Sequence, residues 1–132
     1  MTQRDEYLKA AAGYSVSLMS DTKWRKLFTL LHRAEVKIEH ATWHFIDVPR
    51  PMTNGLPREN ELEETRFRDG RFQPFEYKWI QSIEIPREYR PIANVGYTKQ
   101  QPVERLVEVL KAAGKFPIER TPEGVTIVGY RK

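Results

Sequence analysis

The chain has 132 residues, no cysteine and a net charge of +4 at pH 7. That length fits one domain able to bury a core without covalent staples. The missing thiols exclude disulfides, thiolate zinc sites and cysteine nucleophiles. Residues 1–64 carry a net charge of −1 and residues 65–132 a net of +5. A basic half can favour an acidic partner, RNA or DNA, but no Lys/Arg block of the nucleic-acid type is present, so a solvated surface is the plainer reading.

No apolar run approaches the roughly 20 residues of a membrane span. Met1 to Ala12 mixes Arg4, Asp5, Glu6 and Lys9 with alanines and lacks the apolar centre of a signal peptide. A soluble cytoplasmic protein is the expectation.

Residues 3–12 predict a short helix with Tyr7, Leu8, Ala11 and Ala12 on one side and Gly13 as its stop, and Tyr14 to Ser20 a connector. Ser20 or Asp21 can cap the next helix. Trp24, Leu27, Phe28 and Leu31 then share a face, and the helix ends near Arg33 or Ala34. Glu35 to Asp47 is β-branched and aromatic and predicts a strand. Its apolar parity switches between Val36/Ile38 and Trp43/Phe45, so a bulge near His40 and Ala41, or burial on both faces, is needed. Residues 48–63 hold Pro49, Pro51, Pro57 and Asn54-Gly55 and predict a long irregular loop.

Asp69-Gly70 suits a two-residue turn between Arg66–Arg68 and Arg71–Gln73. After Pro74, a long strand places Phe75, Tyr77, Trp79, Ile83 and Ile85 on one face, interrupted by Gln81. Glu76, Lys78, Ser82 and Glu84, with Ile80, fall on a largely wet face. Pro102 and Gly114 bracket a last helix with Val103, Leu106, Val107 and Leu110 as its buried stripe. Lys115 to Arg120 and Val125 to Tyr130 are short strands joined at Thr121-Pro122-Glu123-Gly124, where Gly124 can supply a left-handed position. The sum is a single α+β domain over residues 1–132, a mostly antiparallel sheet packed against two amphipathic helices.

The chemistry-bearing residues are scattered. His40 and His44 have helical metal-ligand spacing, but on a strand that spacing spans about 13 Å, too far for one ion. They and His32 read as local or solvent-facing imidazoles. Glu61, Glu63 and Glu64, and the strand pair Glu76 and Glu84, lack the apolar surroundings that would raise a catalytic carboxyl. Ser15, Ser17, Ser20 and Ser82 have no nucleophile-elbow context, and the seven glycines form no phosphate loop. Arg66, Phe67, Arg68, Arg71, Phe72, Phe75, Tyr77, Lys78 and Trp79 interleave cations with rings, as a base-stacking sheet would. The same rings are what a sheet needs to meet two helices, and each stabilises the fold by roughly 1.5–3 kcal/mol when buried.

The run Asp21-Thr22-Lys23-Trp24-Arg25-Lys26-Leu27 resembles the opening helix of a family of small bacterial proteins of unknown function. So does Trp79-Ile80-Gln81-Ser82-Ile83-Glu84-Ile85 after an Asp-Gly hairpin. The closing pattern is similar too: a helix at Val107 to Ala113, the strand Phe116-Pro117-Ile118-Glu119-Arg120, the turn Thr121 to Gly124, and Val128-Gly129-Tyr130. The resemblance covers residues 20–131, and the first twenty residues and the 48–63 loop depart from it. It implies no activity and no catalytic residue.

The leading expectation is a non-enzymatic module that binds another protein, in its most concrete form an immunity or antitoxin-like inhibitor. Trp43, Glu59, Glu61, Glu63, Glu64, Arg66, Arg68 and Arg71 are the candidate partner contacts, because arginines and aromatics favour interfaces. No cofactor or metal is expected. The alternatives are a nucleic-acid-binding domain using the basic second half, and a small-ligand-binding protein or enzyme with a site near the 48–63 loop.

Overall fold

Ser20 accepts the Lys23 N–H on its side-chain oxygen at 3.1 Å, and a helix runs from there to Arg33. The hydroxyl satisfies a donor that the first turn would otherwise leave open. Trp24, Leu27, Phe28 and Leu31 recur at helical spacing, and all four are buried. The structure, a computed structural model, describes residues 3–14, 16–63, 66–67, 75–91 and 96–131, with the backbone alone for 3–4, 66–67 and 75.

In chain order the elements begin with α1 (Gln3–Ala11), β1 (Val16–Ser17), α2 (Asp21–Arg33), β2 (Ala41–Phe45), β3 (Met52–Asn54) and a 3-10 turn (Glu59–Glu61). Then come β4 (Arg66–Phe67), β5 (Phe75–Glu76), a second 3-10 turn (Tyr77–Trp79), β6 (Ile80–Pro86), β7 (Glu88–Tyr89) and β8 (Lys99–Gln100). The last are α3 (Val103–Ala113), β9 (Ile118–Arg120), β10 (Gly124–Val128) and β11 (Tyr130–Arg131). A five-stranded antiparallel sheet has the order β3-β2-β6-β10-β9, and short ribbons pair β1 with β11, β4 with β5 and β7 with β8. The fold is the single-domain α+β arrangement expected from the sequence.

α2 and α3 pack against each other. Their apolar stripes meet one face of the sheet, where Trp43, Ile83, Ile127 and Ile118 stand in register. Thr42, Glu84, Thr126 and Glu119 form the matching row on the opposite face. One covered and one wetter face is what antiparallel sheets permit. Phe28 bridges the layers, with its ring centroid 5.6 Å from Trp24, 5.9 Å from Trp43 and 6.4 Å from Tyr77.

Several expected elements take a different form. The strand expected from Glu35 to Asp47 is only Ala41–Phe45. Its parity does switch beside His40, but the oxygen that accepts both consecutive N–H groups, of Glu39 and His40, belongs to the Gln101 side chain. A side chain thus does what a neighbouring strand does at a bulge. The ladder's own irregularity lies further on, between His44 and Phe45: β6 has one residue more than β2 there, since His44 pairs with Ser82 and Phe45 with Ile80. The extra residue, Gln81, carries Ile80 onto the buried side with Ile83 and Ile85. Ile80 is therefore core, not wet face.

Residues 48–63 are not a structureless loop. Met52–Asn54 adds an edge strand beside β2, and Glu59–Glu61 forms a helical turn. The prolines flank that edge strand, where missing donors do no harm. The continuous aromatic strand after Pro74 is broken by the turn Tyr77–Trp79. The Asp69-Gly70 turn lies outside the described residues. Its flanking pairs, however, are Arg66 with Glu76 and Phe67 with Phe75, so the register is not that of a two-residue turn pairing Phe67 with Phe72. Tyr14 to Ser20, expected as a connector, contributes β1.

Gly124 does not adopt a left-handed conformation; Gly114 is the glycine at positive φ among the described residues. Gly124 is required for proximity instead: a Cβ there would stand 2.0 Å from the Ile85 carbonyl oxygen. Gly129 likewise meets β6 closely, and its N–H donates to Gln81 O at 2.7 Å. The break at Gly129 ends β10 and turns Tyr130–Arg131 toward β1.

Candidate functional site

The 54–59 segment leaves the sheet abruptly because of its sequence. Asn54 Oδ1 accepts the N–H of the next residue, Gly55, at 2.9 Å as the chain bends away. A Cβ on Gly55 would lie 2.8 Å from Ile38 O, so only glycine passes this close. Leu56 then donates to Ile38 O at 3.1 Å, and Pro57 follows with no N–H to give. Beyond that bond the segments 35–38 and 57–59 line the two sides of a cleft of about 710 Å3.

The far end of the cleft is the C-terminus of α2. Glu35 sits there at φ 58°, an unusual value for a residue with a Cβ. Val36 N donates to Leu31 O at 2.9 Å and Glu35 N to His32 O at 3.1 Å, the paired bonds that close a helix when the following residue turns left-handed. This closure sends residues 36–40 back along the sheet.

Phe28, Leu31, Val36, Ile38, Leu56 and Pro57 make the cleft apolar underneath, and His32, Arg33, Glu35, Lys37, Glu39, Arg58 and Glu59 give it a charged rim. Arg33 clamps Glu59: Nε donates to both carboxylate oxygens at 3.1 and 3.2 Å, and Nη2 donates to Oε1 at 2.5 Å. His32 Nδ1 accepts the Glu59 N–H at 3.3 Å. Hydrogen bonding to Arg33, more than simple charge attraction, holds the Glu59 carboxyl below its ordinary range and raises the Arg33 guanidinium. Glu61 caps the turn behind it by accepting the Arg58 N–H at 2.9 Å. On the other wall, Glu39 accepts from Tyr89 Oη at 3.1 Å and lies 3.8 Å from Lys99 Nζ.

The structure does not gather the expected partner contacts into one patch. Glu59 is on the cleft rim and Glu61 is just behind it. Trp43 is fully buried, with its indole N–H directed to Asn54 O at 3.3 Å, so its ring is core and cannot touch a partner. The Glu63 carbonyl accepts the Tyr77 hydroxyl at 2.9 Å, which ties that segment to the core. Glu64, Arg68 and Arg71 lie outside the described residues, and Arg66 is placed only by its backbone pairing with Glu76. The lining residues His32, Arg33, Lys37, Leu56 and Arg58 were not singled out from the sequence as binding residues. The Asn-Gly-Leu-Pro run was the available signal, since it marks where a chain must leave a sheet edge.

Compared with known families, curated proteins and solved structures, this chain finds no match.

The other chemistry-bearing residues are placed differently. His40 stacks on Tyr89 with ring centroids 4.6 Å apart. On the wetter sheet face, His44 Nε2 lies 3.2 Å from Glu84 Oε1 without the geometry of a hydrogen bond. No cluster of three His, Cys, Asp or Glu suited to a metal occurs among the described residues. Tyr77, one of the rings interleaved with cations in the sequence, is completely buried, and burial pushes its hydroxyl up to about 12. Trp79 packs against the core and meets Tyr7 of α1 edge-on at 5.6 Å. No helix is long and apolar enough to cross a membrane among the described residues.

Proposed function

We propose that this chain is a non-enzymatic binding module for another protein, and that the cleft between α2, residues 35–39 and residues 56–59 is its docking site. The observation that carries this reading is the make-up of the cleft. Apolar side chains lie beneath a rim bearing both signs of charge, the core-and-rim layout of protein interfaces. Lys37 and Arg58 face it from different walls, and neither is ion-paired among the described residues. Its most concrete form is an immunity or antitoxin-like inhibitor, a role that suits a small single domain.

Capture experiments test it. Full-length chain is used as bait in lysate of its native source, beside the double variant Lys37→Glu/Arg58→Glu. Both positions are free of structural ion pairs, so the variant keeps its melting temperature. A specific protein held by the wild type and lost by the variant is the expected result. Bait that returns only abundant background proteins ends the reading. For the inhibitor form, co-expression with the captured protein should relieve growth arrest caused by that protein alone.

The volume of about 710 Å3 also lies in the range of small-molecule sites. A small ligand is therefore the second reading. It predicts a rise in melting temperature with a metabolite mixture in the absence of any protein partner.

A further inference from the structure

Burial alternates along one wall of the cleft, Val36 and Ile38 inward and Lys37 and Glu39 outward, as in a strand, and its backbone has open hydrogen-bonding groups. Leu56 N to Ile38 O is the bond that joins them. Past it, the N–H groups of Lys37 and Ile38 and the carbonyls of Val36, Lys37, Leu56 and Pro57 have no bond to another group among the described residues. Ile38 is nevertheless buried, at 6% exposure, and buried amides without a partner are rare in folded proteins. The floor between the walls is apolar, and the opening continues the β2–β3 pairing.

Resting on the protein-binding reading above, we infer that the cleft receives an extended strand of the partner, one apolar side chain set against Leu56 and acidic residues flanking it. Strand addition is a recurring way to bind a peptide, with backbone bonds giving affinity and a pocket for alternate side chains giving specificity. Hydrogen-bonding groups alternate between edges along extended backbone, so Ile38 N–H and Val36 O, on the edge where Ile38 O meets Leu56, supply the ladder. Half-buried Leu56 supplies the apolar seat, above a floor of core side chains. Charge chooses the flanks: Glu39 and Glu59 already answer to Lys99 and Arg33, whereas the Lys37 and Arg58 side chains form no ion pair among the described residues. Glu35 is the one rim carboxylate without an ion pair there, so the open charge at the cleft is cationic on balance.

The test uses the full-length chain labelled with nitrogen-15 and a panel of seven-residue peptides in which Leu or Val alternates with Asp. The expected result is that the Ile38 amide resonance moves and its hydrogen exchange slows. Replacing Asp by Lys in the best peptide should weaken binding at least tenfold. N-methylating its backbone, which deletes ladder donors but keeps the side chains, should do the same. Binding that leaves Ile38 unmoved, or that survives N-methylation, overturns strand addition, as does the absence of binding across the panel. The two ideas fail separately. A partner lost with Lys37→Glu/Arg58→Glu while no peptide binds removes the strand and keeps the docking site; a bait that captures nothing removes the docking site itself.

Discussion

The side-chain amide of Gln101 closes on both backbone groups of His40, accepting its N–H at 3.0 Å and donating to its carbonyl at 2.9 Å. The same amide accepts from Glu39 N at 3.0 Å and donates to Pro86 O at 2.8 Å. One buried glutamine thus ties the approach to β2 to the end of β6, just before α3 begins. Its removal strands buried backbone groups, each costing about 1–3 kcal/mol. Gln101→Leu should therefore lower unfolding free energy by about 2–4 kcal/mol in urea titration. A loss under about 0.5 kcal/mol would show that water replaces the amide without penalty.

Glu35 closes α2 with a conformation that glycine adopts at lower cost. Glu35→Gly should stabilise the fold by about 0.5–1 kcal/mol, seen as a rise of a few degrees in melting temperature. Destabilisation would mean that the Glu35 side chain makes a contact worth more than the strain.

Gly124 and Gly96 form a matched pair. A Cβ on Gly124 would collide with the Ile85 carbonyl, whereas one on Gly96 would meet nothing within 4 Å. Gly124→Ala should cost about 3 kcal/mol or more because rigid backbone must move. Gly96→Ala should stay within about 0.5 kcal/mol of wild type by calorimetry.

Tyr7 anchors α1 to the sheet. Tyr7 meets Trp79 edge-on, its hydroxyl lies 2.7 Å from that of Tyr130, and Lys78 Nζ sits 4.9 Å from its ring centroid. Tyr130 in turn donates to Lys78 O at 2.7 Å. Tyr7→Ala removes an aromatic pair worth about 0.5–1.5 kcal/mol. Residues 3–11 should then lose amide protection while β6 and β10 keep theirs, as hydrogen exchange would show. Unchanged protection of α1 would mean that other contacts hold it.

Carboxylates should pull stability in opposite directions with pH. Hydrogen bonds from Arg33 and from Arg120 and Arg87 hold Glu59 and Glu104 below their ordinary range. Depressed groups contribute stability above the unfolded pKa, lost as pH falls through the folded value. Burial raises Asp21 and Asp47, so their ionised forms oppose folding at neutral pH and acid relieves that penalty. Melting temperature should fall between neutral and acidic pH, and less so in Glu59→Gln/Glu104→Gln. Asp47→Asn should be more stable than wild type at pH 7 and lose that advantage in acid. An identical pH profile for the double Gln variant would show that both surface pairs are fully screened.

Much of the fold was readable where one local pattern decided the outcome. α2 and α3 carry unbroken apolar stripes, and the residues marked as buried are buried. The parity switch at His40 was also visible, but its cause was not, because the compensating group is sixty-one residues away in sequence. The long aromatic strand failed for a related reason. Alternation across Phe75 to Ile85 cannot reveal a 3-10 turn and a bulge whose phase shifts offset each other; only Gln81 among the apolar positions hinted at them. The cleft was the least legible. It arises from two segments parting after a shared hydrogen bond, and no single residue type encodes such a gap.

The sheet order carries a cost during synthesis. β6 leaves the ribosome well before β10, yet β10 is the strand that covers one side of it from Ser82 to Pro86. Until residues 124–128 emerge, the nascent chain displays Ile83 and Ile85 on an open sheet border, the kind of border that recruits other chains. A stalled or clipped product ending before Gly124 is therefore a seed for co-aggregation, and the cell must complete this protein or destroy it.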